Sequence, residues 1–316
     1  MPPSYATEST LAHVCLVIST FRQDESVLGL LRGVYGDGTT HPFCKIIVVD
    51  SLGSGAISDA IDEAGWEDII YENASTNLGA AGNHFKRLTI ASEQSGARWA
   101  YAVNDDGEVK LDALNALLKH ANAQPDQKQL GALYPLRYTT HLQKYNLTGR
   151  TRLPIPYVGT TVKPTKNFPV YWASSNGALY HLEPVRSGLL PWVDLWHGWE
   201  DRGYGLLLDD HGWRQEVVCD AVFEDGYEYE AHGSGNAQIR ISDKPTWYAY
   251  YQMRNLILIT QRTASNSLTW SVVAGRVALE FGLSATLRKD KKRRMQFLLA
   301  GIRDGLLGKA GKWKYP

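Results

Sequence analysis

The sequence is poor in cysteine, with three cysteines among 316 residues. Cys15, Cys44 and Cys219 show no CxxC spacing, and each lies in or beside an apolar, β-branched run. A disulfide-held secreted domain or a cysteine zinc site needs more cysteines at closer spacing. We therefore expect three reduced core cysteines in a cytoplasmic protein.

Long apolar runs are also missing, since no stretch of about 18 uninterrupted apolar residues is present for a membrane-spanning helix. No charged segment followed by an apolar run and a small-residue cleavage site opens the chain, so we expect no secretion. The composition, 44% hydrophobic and 21% charged, is typical of a globular domain. These features argue against an integral membrane protein.

The formal net charge is zero, but the charge is unevenly distributed. From Arg288 onward the chain has ten Lys and Arg against two Asp, a net charge of +8 that leaves −8 for the rest. This tail predicts either a contact with anionic membrane lipids, or an amphipathic helix that packs on the domain or mediates oligomerisation. Nucleic-acid binding is disfavoured, because the positive charge is confined to the tail. The tail residues that would insert into a membrane are Phe297, Leu298, Leu299, Leu306 and Leu307.

Strand and helix patterns alternate in the first half. Helical spacing occurs at 25–35 and 82–95, between apolar, β-branched runs at 14–19, 46–50, 69–71 and 99–103. This alternation predicts an α/β fold with a Rossmann-like, mixed but mainly parallel sheet flanked by helices. Ligands bind at the carboxyl ends of such strands. We expect one cleft where three of the runs end, at Ser19-Thr20-Phe21-Arg22, Asp50-Ser51 and Asn104-Asp105-Asp106.

The residue pattern changes in the second half. Residues 135–170 lack clear periodicity, which predicts loops and edge strands, and residues 171–201 concentrate four tryptophans. Helices are predicted at 200–211 and 246–262, with a strand at 215–219 between them. We expect a domain over 1–262, with a donor half at about 10–130 and an acceptor and catalytic half at about 131–262. A basic, amphipathic helical extension covers 263–316.

The Asn104-Asp105-Asp106 cluster is the most informative local feature. Adjacent carboxylates after an apolar strand repel each other and lose solvation unless a cation or hydrogen-bond donors neutralise them. Mg²⁺ and Mn²⁺ prefer oxygen ligands and commonly use one or two carboxylates together with substrate phosphates. The same residues also suit a solvated turn. Both interpretations stay open from these residues alone.

Three further segments have two interpretations each. The segment 77–83 (NLGAAGN) either brings backbone N–H groups to a phosphate or base, or packs a helix tightly on a strand. In Trp199-Glu200-Asp201 the acids either favour a helix N-terminus or deprotonate a hydroxyl. His232, in a loop after a strand, is either solvated or a metal ligand.

Taken in order, these segments resemble those of family 2-type inverting glycosyltransferases with the GT-A fold, which assemble bacterial polysaccharides and glycolipids. The segment WEDRGYG, followed by a loop histidine and an aromatic-aromatic-x-x-Arg-Asn helix, looks most like the galactofuranosyl- and rhamnosyltransferase branch. The matching segments span about residues 14–255 and are VISTFRQ, IIVVDS, NLGAAGN, NDD, HGWEDRGYG, His232 and YYQMRN.

The resemblance implies a nucleotide-sugar donor, UDP- or dTDP-linked, and a glycan or lipid-linked acceptor. Asp106 and Asp105 match the acid motif that holds Mn²⁺ or Mg²⁺ and the diphosphate, with His232 as a helper. Asp201 matches the general base, with Glu200 as a close competitor. The residues expected to bind the donor are Thr20, Arg22, Asp50, Asn77, Gly79, Asn104 and Asp105.

The implied reaction is a direct displacement at the anomeric carbon. Asp201 takes the proton of an acceptor hydroxyl, the metal stabilises the departing nucleoside diphosphate, and the configuration inverts. Aromatic faces stack on sugars and short polar groups bond their hydroxyls, although any single tryptophan is more often a core residue than a sugar contact. The residues expected to contact acceptor or sugar are Trp172, Ser174, Asn176, Trp196, His197 and Trp199.

The sequence departs from the family pattern at three positions. Asn104 stands where a third acid is often found, Ser51 where an asparagine is frequent, and Gly203 where a further acid often follows the acid pair.

Two other functions are alternatives to a glycosyltransferase. A sugar-nucleotide nucleotidyltransferase should have a glycine-rich loop after the first strand, and STFRQDES contains no glycine. A non-catalytic carbohydrate-binding protein would use the tryptophans without Glu200, Asp201 or a metal.

Overall fold

The computed structural model describes residues 8–124, 129–155, 157–226, 230–232, 239–241, 244–263 and 265–314, with the backbone alone for 230–232 and 239–241. The strands are β1 (Val14–Thr20), β2 (Lys45–Ser51), β3 (Ile69–Ala74), β4 (Trp99–Asn104), β5 (Leu130–Thr139), β6 (Lys144–Asn146), β7 (Gly159–Thr160), β8 (Phe168–Pro169), β9 (Ala178–His181), β10 (Arg214–Asp225), β11 (Glu230–His232) and β12 (Ile239–Ile241). The helices are α1 (Asp24–Tyr35), α2 (Ala56–Ala64), α3 (Gly79–Ser92), α4 (Leu111–Ala123), α5 (Leu182–Arg186), α6 (Glu200–Asp210), α7 (Tyr248–Arg262), α8 (Ser267–Thr286) and α9 (Lys291–Leu306).

Ten strands form one mixed sheet, with the order β3-β2-β1-β4-β9-β5-β10-β8 and with β6 and β7 added beside β5. The pairs among β1, β2, β3 and β4 are parallel, as is β5 with β10, whereas β9 runs antiparallel between β4 and β5. The predicted α/β fold with a mainly parallel sheet is confirmed.

Strand β1 shows why the sheet is covered on both faces. Val14, Leu16 and Ile18 belong to a core cluster with residues of α1, α2 and α4, whereas Cys15 and Val17 belong to a second cluster with residues of α3, α5 and α6. All five side chains are buried. A parallel strand that is buried on both faces reads as a continuous apolar run, which is the pattern of this segment in the sequence.

The prediction of loops and edge strands from residue 135 onward is wrong for β5, which lies inside the sheet between β9 and β10. Most of its side chains are buried, so the sequence shows no alternation of apolar and polar residues. Pro135 cannot donate a ladder hydrogen bond, and the β5–β10 register shifts next to it, between Val218 and Val222. The irregular pairing accommodates a proline that sequence patterns associate with a sheet edge.

The C-terminal helices pack around α7. Phe297 and Leu298 of α9 are buried in a cluster with Tyr250, Tyr251 and Leu256. These two residues therefore belong to the protein core and not to a membrane-inserting surface, because the apolar face of α9 has an internal partner. Leu299, Leu306 and Leu307 are more than half exposed. Within the described residues, no helix combines the length and the apolar character that a membrane crossing needs.

Candidate functional site

The strand register brings the predicted polar groups to one edge of the sheet. Thr20 pairs with Asp50 across β1 and β2, and Ser19 pairs with Asn104 across β1 and β4. Because these neighbouring strands are parallel, their carboxyl ends coincide. The predicted convergence of three strand ends is therefore present.

A cavity of about 370 Å³ opens at this edge. Its walls come from the ends of β1 and β4, the first turns of α3 and α6, the loop before α6, and the start of α7. Of the residues expected to bind donor, metal or acceptor or to act as the base, it is lined by Thr20, Asn77, Gly79, Asn104, Asp105, Asp106, Trp196, His197 and Glu200.

The acid cluster is held in a hydrogen-bonded turn. The Asp105 amide donates to the Ser19 carbonyl at 3.2 Å, and the Asn104 amide donates to Oδ1 of Asn176 at 3.1 Å. Oδ2 of Asp105 accepts from the Thr20 hydroxyl at 2.9 Å and from the Phe21 amide at 3.2 Å. Asn176, which sequence reasoning assigns to the acceptor, is buried and does not line the cavity. It positions the acid turn instead.

The two carboxylates have different surroundings. Burial raises the pKa of Asp105, and the charge of Asp106 adds to this, although the hydrogen bonds from Thr20 and Phe21 oppose it. Asp106 is exposed at the cavity wall. Asp105 is therefore fixed by the protein, whereas Asp106 is accessible to a ligand.

The oxygens present suit a hard divalent cation that is shared with a ligand. Among the described residues no group of three or more His, Cys, Asp or Glu side chains is placed to hold a metal alone. Mg²⁺ usually keeps several waters and binds one or two carboxylates plus substrate phosphates, and Asp105 and Asp106 supply that number. The side chain of His232 lies outside the described part; its backbone forms the end of β11.

Gly79 begins α3 with a positive φ of 68°. A Cβ at this position would collide with the Trp196 carbonyl oxygen and lie 2.9 Å from the indole ring, and the Ala81 amide donates to that same carbonyl at 3.1 Å. The glycine therefore permits a close approach between the helix start and the loop before α6. Asn77 caps the turn, with Oδ1 accepting from the Gly79 amide at 2.9 Å.

Two predicted nucleotide contacts lie outside the lining of this cavity. Asp50 is fully buried, Oδ2 accepts from the Tyr71 hydroxyl at 2.9 Å, and burial raises its pKa. Oδ1 of Asp50 is also buried and has no partner among the described residues. Arg22 is exposed, has a φ of 59°, and places its guanidinium 5.2 Å from the centre of the Phe21 ring.

Glu200 and Asp201 are the first two residues of α6. Glu200 lines the cavity, whereas Asp201 lies behind that lining and contacts Ser175. Oε2 of Glu200 and Oδ1 of Asp201 are buried without a partner among the described residues. Burial and then the charge of Glu200 raise the pKa of Asp201 to about 7, and burial also raises the pKa of Glu200. The pair can hold a proton near neutral pH.

A buried arginine, which sequence reasoning missed, lies beneath the acid turn. Arg87 of α3 is 1% exposed. Its Nη1 donates to Ser19 Oγ at 3.0 Å, to the Val103 carbonyl at 3.2 Å and to Asn104 Oδ1 at 3.1 Å. Burial lowers its pKa to about 10, and the charges of Asp201, Glu200 and Asp105 act against this. The spacing of Gly79, Asn83 and Arg87, four residues apart on one helix face, is the signal that could have identified it.

The remaining predicted acceptor contacts have structural partners. Trp172 and Trp199 pack edge to face with ring centres 5.9 Å apart, and Trp199 Nε1 donates to the Gln252 carbonyl at 3.1 Å. Ser174 Oγ accepts from Arg137 at 3.3 Å. None of the three lines the cavity.

The Arg-Asn pair of the YYQMRN segment holds the loop before α6. Asn255 Nδ2 donates to the carbonyls of Leu195, His197 and Gly198 at 2.7 to 2.9 Å, and Arg254 Nη2 donates to the Leu195 carbonyl at 2.7 Å. Both side chains are buried. The pair thus fixes the loop that presents Trp196 and His197 to the cavity.

No protein-family model matches this chain, and no curated protein sequence matches it either. Solved structures do share its fold. Residues 1–349 of TarS from S. aureus, in complex with UDP-GlcNAc, match with a TM-score of 0.56 and 12% identity over 93% of this chain and 81% of that one. The mannosyltransferase PcManGT from Pyrobaculum calidifontis, in complex with GDP-Man and Mn²⁺, matches with a TM-score of 0.53 and 13% identity over 96% of this chain and 89% of that one. At such identities the similarity shows the fold, which this chain shares with these glycosyltransferases.

Proposed function

We propose that this protein is a glycosyltransferase that takes a sugar from a nucleoside-diphosphate donor. One observation carries the proposal: a single cavity at the carboxyl edge of the parallel strands is lined both by Asp105 and Asp106, directly after β4, and by Glu200, at the start of α6. The first two acids have the chemistry to hold a diphosphate with its cation, and Glu200 has the chemistry to accept a proton. The shared fold with structures that contain UDP-GlcNAc and GDP-Man supports this assignment.

The donor occupies the part of the cavity between β1, β4 and the start of α3. Thr20, Asn77 and Asn104 face that space, and the N-terminus of α3 favours negative charge there. Arg22, which is exposed, would contact the base or ribose beyond the cavity lining, and the fully buried Asp50 would support that region through its bond from Tyr71. The finer assignment, a UDP- or dTDP-sugar, rests on the resemblance to the galactofuranosyl- and rhamnosyltransferase branch.

Asp106 and Asp105 would hold Mn²⁺ or Mg²⁺, with His232 as a helper. When bound, the cation stabilises the charge of the leaving nucleoside diphosphate. Asp105 is oriented by Thr20 and Phe21, so it keeps its geometry, and Asp106 presents its oxygens to the ligand. Arg87 adds a buried positive charge beneath the turn and fixes Asn104 through its side-chain oxygen.

The acid pair supplies the general base for an acceptor hydroxyl. Glu200 faces the cavity, and Asp201, whose pKa is raised to about 7, lies next to it in the chain. A base with a pKa near the working pH is efficient in proton transfer. In the direct displacement that the resemblance implies, that hydroxyl would attack the anomeric carbon as the nucleoside diphosphate departs, which would invert the anomeric configuration.

The acceptor is proposed to be a glycan or a lipid-linked glycan in polysaccharide or cell-envelope biosynthesis. Trp196 and His197 line the cavity, but Trp196 is 5% exposed and belongs to a core cluster, so His197 would offer most of the aromatic surface to a sugar. A cytoplasmic location, with the basic tail at a membrane surface or in an oligomer contact, remains part of this proposal.

Calorimetric titration of UDP, dTDP and GDP, with and without Mn²⁺, tests the donor site. We expect one nucleoside diphosphate to bind in the presence of Mn²⁺ and binding to fall at least about tenfold in Asp106→Ala, because a charge-assisted contact contributes about 1.5–3 kcal/mol. Asp37→Ala, in an exposed turn after α1, is the matched control and should bind normally. The absence of binding by every nucleotide under both conditions would refute the proposal and favour a non-catalytic carbohydrate-binding protein.

A further inference from the structure

A second pocket, of about 310 Å³, lies away from the donor cavity. It is formed by the loop around residues 150–153, by Tyr171, by one face of α6 and by the start of α8. Three arginines line it, Arg150, Arg152 and Arg202, and none of its described lining residues is an aspartate or glutamate. The composition is that of a site for a negatively charged group.

Arg202 is the most informative of these residues. It is 1% exposed, and its Nε and Nη1 atoms are buried without a hydrogen-bond partner in the described part of the chain. Among the described residues, this guanidinium forms a hydrogen bond through Nη2, which donates to the Arg152 carbonyl at 2.9 Å. Burial, followed by the charge of Arg152, lowers the pKa of Arg202 to about 10. A buried charge without a counter-charge is costly, so an unpaired guanidinium in a pocket calls for an anionic partner.

The neighbouring charges leave the pocket positive. Arg152 is paired with Asp209 through Nη1 and with Asp210 through Nη2 at 2.5 Å. Arg150 is exposed at the rim, with its guanidinium 5.2 Å from the centre of the Phe168 ring. Three arginines against two aspartates leave one positive charge in surplus. The two aspartates do not line the pocket, whereas the arginines do.

The N-terminus of α8 adds to the positive charge around the pocket. α8 has 20 residues and begins at Ser267, and its cap Asn266 accepts a hydrogen bond from the Thr269 amide at 3.0 Å. Ser265, Asn266 and Thr269 all line the pocket. The N-terminus of a helix carries a partial positive charge that stabilises anions. This feature and the unpaired guanidinium of Arg202 are independent of each other and favour the same kind of ligand.

We propose that this pocket binds a phosphate-type oxyanion. The planar guanidinium of Arg202 matches two oxygens of such a group, Arg150 closes the rim, and the start of α8 offers dipole and hydroxyl groups. The site lies on the far side of α6 from the donor cavity. Residues two positions apart on a helix point about 200° from each other, so Glu200 faces the donor cavity while Arg202 faces this pocket.

This position gives the site a role in the proposed reaction. An oxyanion on Arg202 would fix the first turn of α6, which carries the acid pair. The group is either part of a phosphate-bearing acceptor chain or a free phosphate that acts as an effector. The acceptor chain and the free phosphate would present the same oxygens to the pocket. They differ in that the phosphate of a chain is a diester, whereas the effector is a free phosphate ion.

Thermal unfolding of the full chain with inorganic phosphate tests the proposal, with dimethyl phosphate as a diester probe. We expect a saturable rise of Tm in the wild type, and an apparent Kd at least about tenfold weaker in Arg150→Gln. Arg32→Gln, at an exposed arginine of α1, is the matched control and should respond like the wild type. Arg202→Met should be at least as stable as the wild type without phosphate, because it removes an unpaired buried charge, and should show no response to phosphate.

Each outcome has a definite meaning. A response to both probes that is lost in the Arg150 and Arg202 variants supports the site and assigns it to a diester of an acceptor chain, whereas a response to inorganic phosphate alone assigns it to a free effector. No response in the wild type, or equal responses in all four proteins, overturns the proposal. UDP titration of Arg150→Gln should match the wild type, so a failure of the donor-site proposal and a failure of this one are separate results.

Discussion

The Asp201→Asn substitution should make the protein more stable at pH 8 while it removes activity. Asp201 has a pKa raised from 3.8 to about 7, first by burial and then by the charge of Glu200. Below pH 3.8 the carboxyl is protonated in the folded and in the unfolded chain, so its ionisation does not affect stability. Between pH 3.8 and about 7 the unfolded chain releases the proton and the folded chain keeps it, so stability falls as the pH rises.

Above about pH 7 the destabilisation caused by ionising the buried Asp201 reaches its full size. A pKa raised from 3.8 to about 7 corresponds to about 4 kcal/mol that opposes folding. The asparagine does not ionise, but its buried amide without a full set of partners costs about 1–2 kcal/mol. We therefore expect Asp201→Asn to be about 1 kcal/mol less stable than the wild type at pH 4 and about 2–3 kcal/mol more stable at pH 8.

Urea unfolding of both proteins at pH 4, 6 and 8 measures this difference. Asp37→Asn, at an exposed aspartate, should track the wild type at every pH. A stability difference between Asp201→Asn and the wild type that does not change from pH 4 to pH 8 would refute the reasoning about a buried, proton-binding carboxyl.

Activity gives the second half of the test. Turnover should fall by about 10²–10⁴ in Asp201→Asn, with nucleotide binding unchanged, because a positioned general base contributes that much. In the wild type, turnover should rise with pH through about 7, since the base acts in its ionised form. Burial is the main cause of the raised pKa of Asp201 and the charge of Glu200 adds to it, so in Glu200→Gln any residual activity should have its midpoint at lower pH. Wild-type turnover in Asp201→Asn would exclude Asp201 as the base.

Two further predictions concern the framework of the site. Gly79→Ala should lower the free energy of unfolding, measured in urea, by at least about 2 kcal/mol, because it adds strain at a positive φ and a clash with the Trp196 carbonyl. The control Gly36→Ala also lies at a positive φ, but no described atom lies within 4 Å of its added Cβ, so it should cost only about 1 kcal/mol. Equal losses in the two variants would show that the clash is relieved. Arg87→Lys should weaken Mn²⁺-dependent nucleotide binding about tenfold in calorimetry, since a lysine cannot reproduce the guanidinium contacts to Ser19, Val103 and Asn104. Unchanged binding would show that the acid turn does not depend on these contacts.

The sequence by itself determined the α/β fold and the strands β1 to β4. Their apolar runs are buried on both faces, and parallel strands have their carboxyl ends at the same edge of the sheet. The polar residues at these strand ends, which include Thr20, Asp50 and Asn104, therefore meet at one edge. The position of Asp105 and Asp106 at that edge follows from this local rule.

Only the tertiary structure decided which side chains face the cavity and which support it. Asn176 and Trp199 lie close in sequence to lining residues, yet they hold the acid turn and α7, because their partners are distant in the chain. Arg87 and Arg202 read as ordinary charged helix positions in the sequence, and their burial depends on elements that pack over them. The spacing of Gly79, Asn83 and Arg87 could direct attention to Arg87, but the burial and pairing of charges are set by the sum of non-local contacts. The burial of both arginines is therefore seen only in the folded protein.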